Sequence, residues 1–252
     1  MPAALLSSRP GAELQNACVE GQLEDVKRLV AEGCRVDMPS RDGSQPLHVA
    51  CESGQLIVAK WLRAAGAAID SLDAQQRQPL HSACTYGHIE VVRWLHKEGA
   101  SLSSADVDGM QPLHVASCCG HLELMQWLHG AGAAIDATSS TGQQPIHSAC
   151  CDGQLECAQW LHAQGASLHA TNLTGQQPLH FACCEGRLDI VMWLCQQGVV
   201  PDVCSTDGFS ALHYACENGH LEVNLDPNPD PDPGPDPDLD PDPDPDPDPD
   251  PD

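Results

Sequence analysis

The residues with the most chemical potential in this sequence are its 14 cysteines and 13 histidines. Cysteine thiolates and neutral histidine nitrogens are the usual ligands of structural zinc. A thiol beside an oriented histidine is also the arrangement of a cysteine nucleophile. Adjacent cysteines occur at 118–119, 150–151 and 183–184, and His121 follows the first pair. A metal site, a redox-responsive thiol group and a nucleophilic enzyme are therefore the three chemistries to weigh.

The spacing of the cysteines argues against a common metal centre. One set recurs at steps of 33 residues or a multiple of 33, namely Cys18, Cys51, Cys84, Cys150, Cys183 and Cys216, and Cys118, Cys151 and Cys184 take the next position. If each repeat contributes one member, neighbours lie about 8–10 Å apart, as packed helices do. That separation exceeds both the ~2.3 Å Zn–S bond and the ~7 Å Cα limit of a disulfide. We expect small buried fillers, no metal, no cofactor and no catalytic residue.

The same period runs through the other informative residue types without insertion or deletion. A proline–leucine–histidine pattern, two glycine series and all five tryptophans keep it. The members are Pro46, Pro79, Pro112, Pro145 and Pro178; His48, His81, His114, His147, His180 and His213; and Trp61, Trp94, Trp127, Trp160 and Trp193. Periods of this length indicate stacked units of supersecondary structure.

Each unit predicts two short helices and a turn, as the third unit illustrates. Pro79 suits the first position of a helix, whose N–H needs no partner. Gly87 ends that helix, and Gly99 fits a left-handed cap after a second one. The first helix has about eight residues, fewer than the ~12–15 needed for marginal stability in isolation. Stacking must therefore supply the core.

The repeated Gln-Pro-Leu-His-x-Ala-Cys, Gly-His-Leu-Glu and Gly-Ala segments resemble the ankyrin repeat. The resemblance implies an all-α ankyrin-repeat α-solenoid of helix–turn–helix units joined by hairpin loops. It places an N-terminal extension at 1–10 and the repeat domain at 11–224. The repeats are expected at 11–40, 41–73, 74–106, 107–139, 140–172 and 173–205, with an incomplete one at 206–224.

Two departures from the family pattern carry structural expectations. The threonine expected before proline is Gln at 45, 78, 111, 144 and 177. Gln is a poorer helix cap than Thr, and a cap contributes about 0.5–2 kcal/mol, so stability must be recovered elsewhere. The last repeat is interrupted near Pro227, which predicts fraying from about Phe209. Residues 225–252 hold 12 Asp and 12 Pro, and we expect a disordered tail there.

The charge distribution limits which chemical classes of partner the protein can bind. The net formal charge is −25. Residues 1–97 carry 11 acidic and 10 basic side chains (−1), residues 98–224 carry 13 and 1 (−12), and residues 225–252 carry 12 and 0 (−12). Such a field disfavours nucleic acid and anionic membranes. It favours a protein partner with a basic segment. The sequence also predicts a monomer in the cytoplasm, with the nucleus as the alternative location.

The resemblance further implies where that partner binds, namely on the hairpin tips and the exposed, concave side of the inner helices. Arg77, Tyr86, Met110 and Phe209 are the preferred anchors, because arginine and aromatic residues are enriched in binding hot spots. Arg41, Cys118, Asp152 and Glu185 complete the expected surface. The function implied is a non-catalytic scaffold or adaptor. The alternatives are a targeting module of a larger or truncated protein, a metal-binding or redox-responsive Cys/His protein, and a structural spacer.

Overall fold

The computed structural model describes residues 10–220 and residue 222, and thirteen α-helices lie in this range. Seven are inner helices: α1 (Pro10–Val19), α3 (Pro46–Glu52), α5 (Pro79–Thr85), α7 (Pro112–Cys118), α9 (Pro145–Cys151), α11 (Pro178–Cys184) and α13 (Ala211–Glu217). Six are outer helices: α2 (Leu23–Ala31), α4 (Leu56–Ala64), α6 (Ile89–Lys97), α8 (Leu122–Gly130), α10 (Leu155–Ala163) and α12 (Leu188–Gln196).

The helices form two layers that run along the array. Each inner helix from α3 to α11 packs on the outer helix that follows it and on the inner helices before and after it. One apolar core fills the space between the layers. The leucine or isoleucine after each inner-helix proline is at most 1% exposed, as Leu47, Leu80, Leu113, Ile146 and Leu179 show. The described residues contain no strand beyond an isolated bridge between Cys204 and Ser210. The predicted all-helical solenoid is confirmed.

The histidine of the Pro-Leu-His pattern closes the N-terminus of its own helix. In α5, Nδ1 of His81 accepts a hydrogen bond from the backbone N–H of the cap residue Gln78 at 3.1 Å. The other inner helices from α3 onward repeat this bond. The glutamine side chain faces the same turn, yet Oε1 of Gln78 is buried without a hydrogen-bond partner in the described region. Histidine thus recovers the capping that glutamine lacks.

The second nitrogen of the same ring holds the next hairpin. Nε2 of His48 lies 3.0 Å from the carbonyl oxygen of Arg77, and Nε2 of His114 lies 3.0 Å from that of Gln143. A backbone N–H can only donate and a carbonyl can only accept, so these contacts fix the neutral Nε2–H tautomer. The ring therefore couples the folding of one unit to the position of the next.

A second tie links each outer helix to the preceding unit. The residue before α6, His88, donates from Nε2 to the carbonyl oxygen of Glu52 at 2.9 Å. His121, before α8, does the same to Thr85 at 2.9 Å. Its ring lies over the turn at Gly87, where an added Cβ would stand 2.8 Å from Nδ1. The periodic glycine thus leaves room for the next unit's histidine, and the φ of 70° at Gly87 favours glycine.

The tryptophans connect neighbouring outer helices. Trp127 of α8 receives the edge of His96 from α6 at a ring-centroid distance of 5.8 Å, and Arg93 lies 6.0 Å from its ring. The His129–Trp160 and His162–Trp193 pairs repeat this geometry. Trp94 is buried, whereas the other four tryptophans are half-buried.

The hairpins form a regular ladder beside the helices. Single backbone hydrogen bonds of 2.9–3.1 Å join each hairpin to the next, from Ala74 N–H to the Asp42 carbonyl through Thr206 N–H to the Thr174 carbonyl. Each turn uses one residue with positive φ. Glycine fills five of these positions, namely 43, 109, 142, 175 and 208, but Gln76 fills the sixth with φ of 59°.

The expected fraying from Phe209 is wrong for the residues that follow it directly. Helix α13 is formed over Ala211–Glu217, and Nδ1 of His213 accepts the Ser210 N–H at 3.1 Å. Capping of this short helix and its packing on α11 explain why it persists. The predicted disordered tail at 225–252 and residues 1–9 of the predicted extension at 1–10 lie outside the described residues, and the repeat boundaries stay predictions.

Replacing Gln76 by glycine should stabilise the protein slightly. A left-handed conformation costs a side-chain-bearing residue about 1–2 kcal/mol, whereas glycine loses about 0.5–1 kcal/mol of unfolded-state entropy. The expected net gain is about 0.5 kcal/mol in the free energy of unfolding, measured in urea. The reciprocal Gly109→Gln should lower the free energy of unfolding by more than about 1 kcal/mol. An added Cβ at this position would clash with the Ser140 backbone nitrogen. A loss in both variants would contradict the strain at Gln76.

Stability should fall as the pH drops below neutrality. Burial lowers the pKa of His48, His81, His114, His147 and His180 below the ordinary 6.5. In the unfolded chain these histidines therefore take up protons from pH 6.5 downward, whereas in the folded chain their imidazole rings stay neutral. Each such histidine lowers the free energy of unfolding by at most about 1.4 kcal/mol for each unit by which the pH falls.

Urea midpoints at pH 7.5, 6.5 and 5.5 (chosen as roughly one-unit steps around the histidine pKa) test this expectation at constant ionic strength. The pH dependence should become shallower in His114→Gln and stay unchanged in His169→Ala, because His169 is exposed in a loop. A midpoint that rises toward pH 5.5 would show that relief of acidic repulsion outweighs the histidines.

Candidate functional site

Each inner helix from α3 onward ends in a C-cap residue at the same position of the repeat. We call the six C-cap residues of α3, α5, α7, α9, α11 and α13 the C-cap row; they are Ser53, Tyr86, Cys119, Asp152, Glu185 and Asn218. Three of the predicted site residues belong to it. Tyr86 is 54% exposed, and Asp152 and Glu185 are also exposed.

Tyr86 has a polar neighbour, Glu52, on the preceding inner helix. Its hydroxyl interacts with the Glu52 carboxylate, and this hydrogen bond raises the pKa of Tyr86. The positive charge of Arg77 acts on the same hydroxyl in the opposite direction. The structure therefore brings Arg77 and Tyr86 into one electrostatic neighbourhood together with Glu52.

Arg77 is only partly free for a partner. Its Nε donates to Oδ2 of Asp73 at 2.8 Å, and its backbone N–H donates to Oδ1 of the same carboxylate at 2.8 Å. The Asp73 side chain is fully buried, whereas that of Arg77 is 36% exposed. Arg77 therefore neutralises a buried carboxylate at the base of its hairpin, in addition to any binding role.

The other hairpin residues differ in exposure. Met110 is half-buried, and its backbone N–H is held by Oδ1 of Asp106 at 2.8 Å. Arg41 is exposed on the first hairpin. At the tips, Val107 and Leu173 are 53% and 74% exposed, and the sequence analysis passed over both. Their common 33-residue position is the signal that would have identified them.

Cys118 lies at the end of α7 and is half-buried. Hydrogen bonding to Cys119 and to the Asp152 carboxylate raises the pKa of the Cys118 thiol, and burial adds to the effect. The thiol of Cys118 is thereby held protonated as a donor. This contact connects the C-cap row between α7 and α9.

The C-terminal half of the row is acidic. Asp152 and Glu185 are exposed, and Arg187 is the single basic residue between 98 and 224. Arg187 donates from Nε to the carbonyl oxygen of Cys151 at 3.0 Å, which holds it at the start of α12. Because Nε of Arg187 bonds a carbonyl oxygen rather than a carboxylate, Asp152 and Glu185 keep their negative electrostatic potential.

Aromatic residues that the sequence reasoning missed line the inner helices at the same end. Phe181 packs edge-on against His147 at 5.5 Å, and Tyr214 packs on His180 at 5.7 Å. The Tyr214 hydroxyl accepts a hydrogen bond from Gln176 at 3.0 Å. Phe209 is 43% exposed and lies 6.0 Å from Tyr214, far along the array from Tyr86. Phe181 and Tyr214 share one position of the 33-residue period, and this position would have shown the site. The full series is Val49, Ser82, Val115, Ser148, Phe181 and Tyr214.

The buried cysteines serve packing. All 14 are free thiols, and Cys51, Cys84, Cys150 and Cys183 are fully buried. Burial raises the pKa of Cys18 to about 12, which suppresses the reactive thiolate. Within the described residues, no three His, Cys, Asp or Glu side chains are arranged to hold a metal ion. No helix of that region is long and apolar enough to cross a membrane.

Comparison with known proteins identifies the class. The family profile "Ankyrin repeats" matches in three copies, at residues 14–106, 98–172 and 146–224. The chain therefore belongs to the ankyrin repeat family. Among solved structures, the crystal structure of the human ASB11 ankyrin repeat domain is similar, with a TM-score of 0.70 and 28% sequence identity over 80% of this chain and 90% of that one. A comparison with curated protein sequences found no match.

Membership in this family makes the chain a protein-interaction module in general. Its partner and binding face follow from further argument.

Proposed function

We propose that this protein is a non-catalytic scaffold or adaptor that binds a partner protein along the C-cap row and the hairpin tips. The observation that carries the proposal is the exposure of Tyr86, Val107 and Leu173 on a framework that hydrogen bonds hold in register. Such a framework loses little conformational entropy on binding. Tyr86 and Met110 supply apolar contact area, and Arg41 and the free part of Arg77 supply positive charge.

The acidic half of the surface determines the partner's chemistry. Asp152 and Glu185 lie exposed in the C-cap row, and Phe209 with Cys118 adds apolar and polarizable surface. A partner segment that carries Lys or Arg complements this half. We expect the protein to act as a monomer in the reducing cytoplasm or nucleus, where free thiols persist.

Substitution in the C-cap row and the neighbouring hairpin should abolish capture of a partner. Proteins that the full chain retains from a cell lysate should be lost with the double variant Tyr86→Ala/Met110→Ala. Loss of one interface anchor costs about 2 kcal/mol, roughly a 30-fold loss of affinity. Arg77 is left unchanged because its removal would orphan the buried Asp73 carboxylate.

The matched control is Ile57→Ala, which removes a side chain 70% exposed on outer helix α4. It should retain the same proteins, and circular dichroism should show all variants equally folded. Retention by the double variant, or equal loss with Ile57→Ala, would place the interface elsewhere.

The complex should weaken with ionic strength. Raising salt from about 0.05 to about 0.5 M shortens the Debye length roughly threefold and screens the exposed carboxylates. The dissociation constant of the captured partner should rise, and Asp152→Asn/Glu185→Gln should flatten its dependence on salt. The control Glu90→Gln on the outer face of α6 should leave that dependence unchanged. A dissociation constant independent of salt would remove the basic segment from the proposal.

A further inference from the structure

The last described helix exposes a face that is buried in every comparable unit. Leu212 of α13 is 45% exposed, whereas Leu47, Leu80, Leu113, Ile146 and Leu179 at the same position are at most 1% exposed. Cys216 is likewise exposed, although its counterparts Cys51, Cys84, Cys150 and Cys183 are fully buried. Earlier inner helices are covered by their own outer helix and by the next inner helix. Among the described residues, α13 has neither.

Within the described residues, His213 lacks one hydrogen bond that its counterparts make. Its Nδ1 accepts the Ser210 N–H, as in the other units. In five earlier units Nε2 also meets a carbonyl oxygen of the following hairpin at 2.9–3.1 Å. Nε2 of His213 has no such contact within residues 10–220. The face therefore combines an apolar surface with one oriented donor.

The sequence that follows lacks the outer-helix pattern. Val223 stands at a position that is buried in the outer helices α4 to α12. Asn224 and Pro227 stand where those helices bury an apolar residue and a leucine, as Val92 and Leu95 do in α6. Proline in a helix interior removes a donor and clashes with the preceding turn. This segment is therefore a poor replacement for an outer helix.

A second copy stacked head to tail is also a poor match. The first unit presents a groove whose lining includes the charged Glu13, Glu20, Asp25 and Arg28 beside the apolar Ala17 and Leu29. The end near α13 exposes Asp202, Asp207 and Glu217, and no Lys or Arg follows Arg187 in the sequence. Two acidic ends repel each other, whereas a cationic ligand is attracted.

We propose that the Leu212–His213–Cys216 face of α13, here called the end face, binds an amphipathic helix of another polypeptide that carries an apolar stripe flanked by Lys or Arg. The helix takes the position that an outer helix occupies in each earlier unit, with leucine-type side chains on Leu212 and its basic residues near Glu217 and Asp207. This surface lies outside the C-cap row and goes beyond the proposed function.

The chain itself supplies a probe of the required chemistry. A capped, fluorescent peptide of residues 55–66 contains the outer helix α4, with Lys60 and Arg63 and no acidic residue. It should bind the full chain saturably in fluorescence anisotropy. Two control peptides test its features: Lys60→Glu/Arg63→Glu keeps the apolar stripe and reverses the charge, and Leu62→Pro prevents the helix. Both should bind at least about tenfold more weakly.

The matched protein variants are Leu212→Asp and Ile57→Asp. Each replaces an exposed apolar residue at the second position of a helix, where an acidic residue is compatible with the helix dipole. Leu212→Asp should weaken peptide binding about tenfold or more, and Ile57→Asp should leave it unchanged. Equal melting temperatures establish that both variants fold.

Each remaining outcome overturns the proposal in a distinct way. Absence of binding, or binding unaffected by Leu212→Asp, eliminates the end face as a helix site. Binding that emerges only after Leu221→Asp/Val223→Asp identifies the chain's own following segment as the occupant. A dimer in sedimentation that Leu212→Asp converts to a monomer identifies a second copy instead. Partner capture by the C-cap row is measured separately and does not depend on these results.

Discussion

The contact that the rest of this structure depends on is the imidazole shared between consecutive units. An inner helix such as α5 spans seven residues and cannot be stable alone. The histidine accepts the cap N–H of its own helix and donates to a carbonyl of the next hairpin. Both bonds need the neutral Nε2–H ring. One side chain therefore ends a helix correctly and sets the position of the following unit, so that stability is a property of neighbouring pairs of units.

This use of histidine explains why a sequence so rich in reactive residue types is built for packing. Twelve of the 13 histidines fall into three columns of the 33-residue period. One column caps inner helices, one reaches back to the preceding unit, and one lies against the next tryptophan. The cysteine columns fill the space where the inner helices meet. Their burial raises the thiol pKa values and keeps them as small apolar fillers.

What is left for recognition are the positions that the architecture does not constrain. Residues of the C-cap row and of the hairpin tips vary from unit to unit while their backbones repeat, as Tyr86, Asp152 and Leu173 illustrate. Charge also varies along the array, because residues 1–97 carry a net charge of −1 and residues 98–224 carry −12. The end face of α13 is the exception, because there Leu212 and His213 keep the residue types of a buried interface but are exposed.

The sequence alone determined the class of fold, because a strict period in Pro, Gly, His and Trp has one physical solution, a stack of equivalent helix pairs. It also identified Tyr86, Asp152 and Glu185 as surface residues, since a fixed position in the period fixes the side of the array. It could not assign Arg77, whose pairing with the buried Asp73 depends on how one hairpin folds back on itself. It also misjudged α13, whose capping and packing on α11 preserve a helix where the pattern breaks off. Only the tertiary structure decided those points, because they depend on contacts between a residue and its spatial neighbours rather than on its place in the repeat.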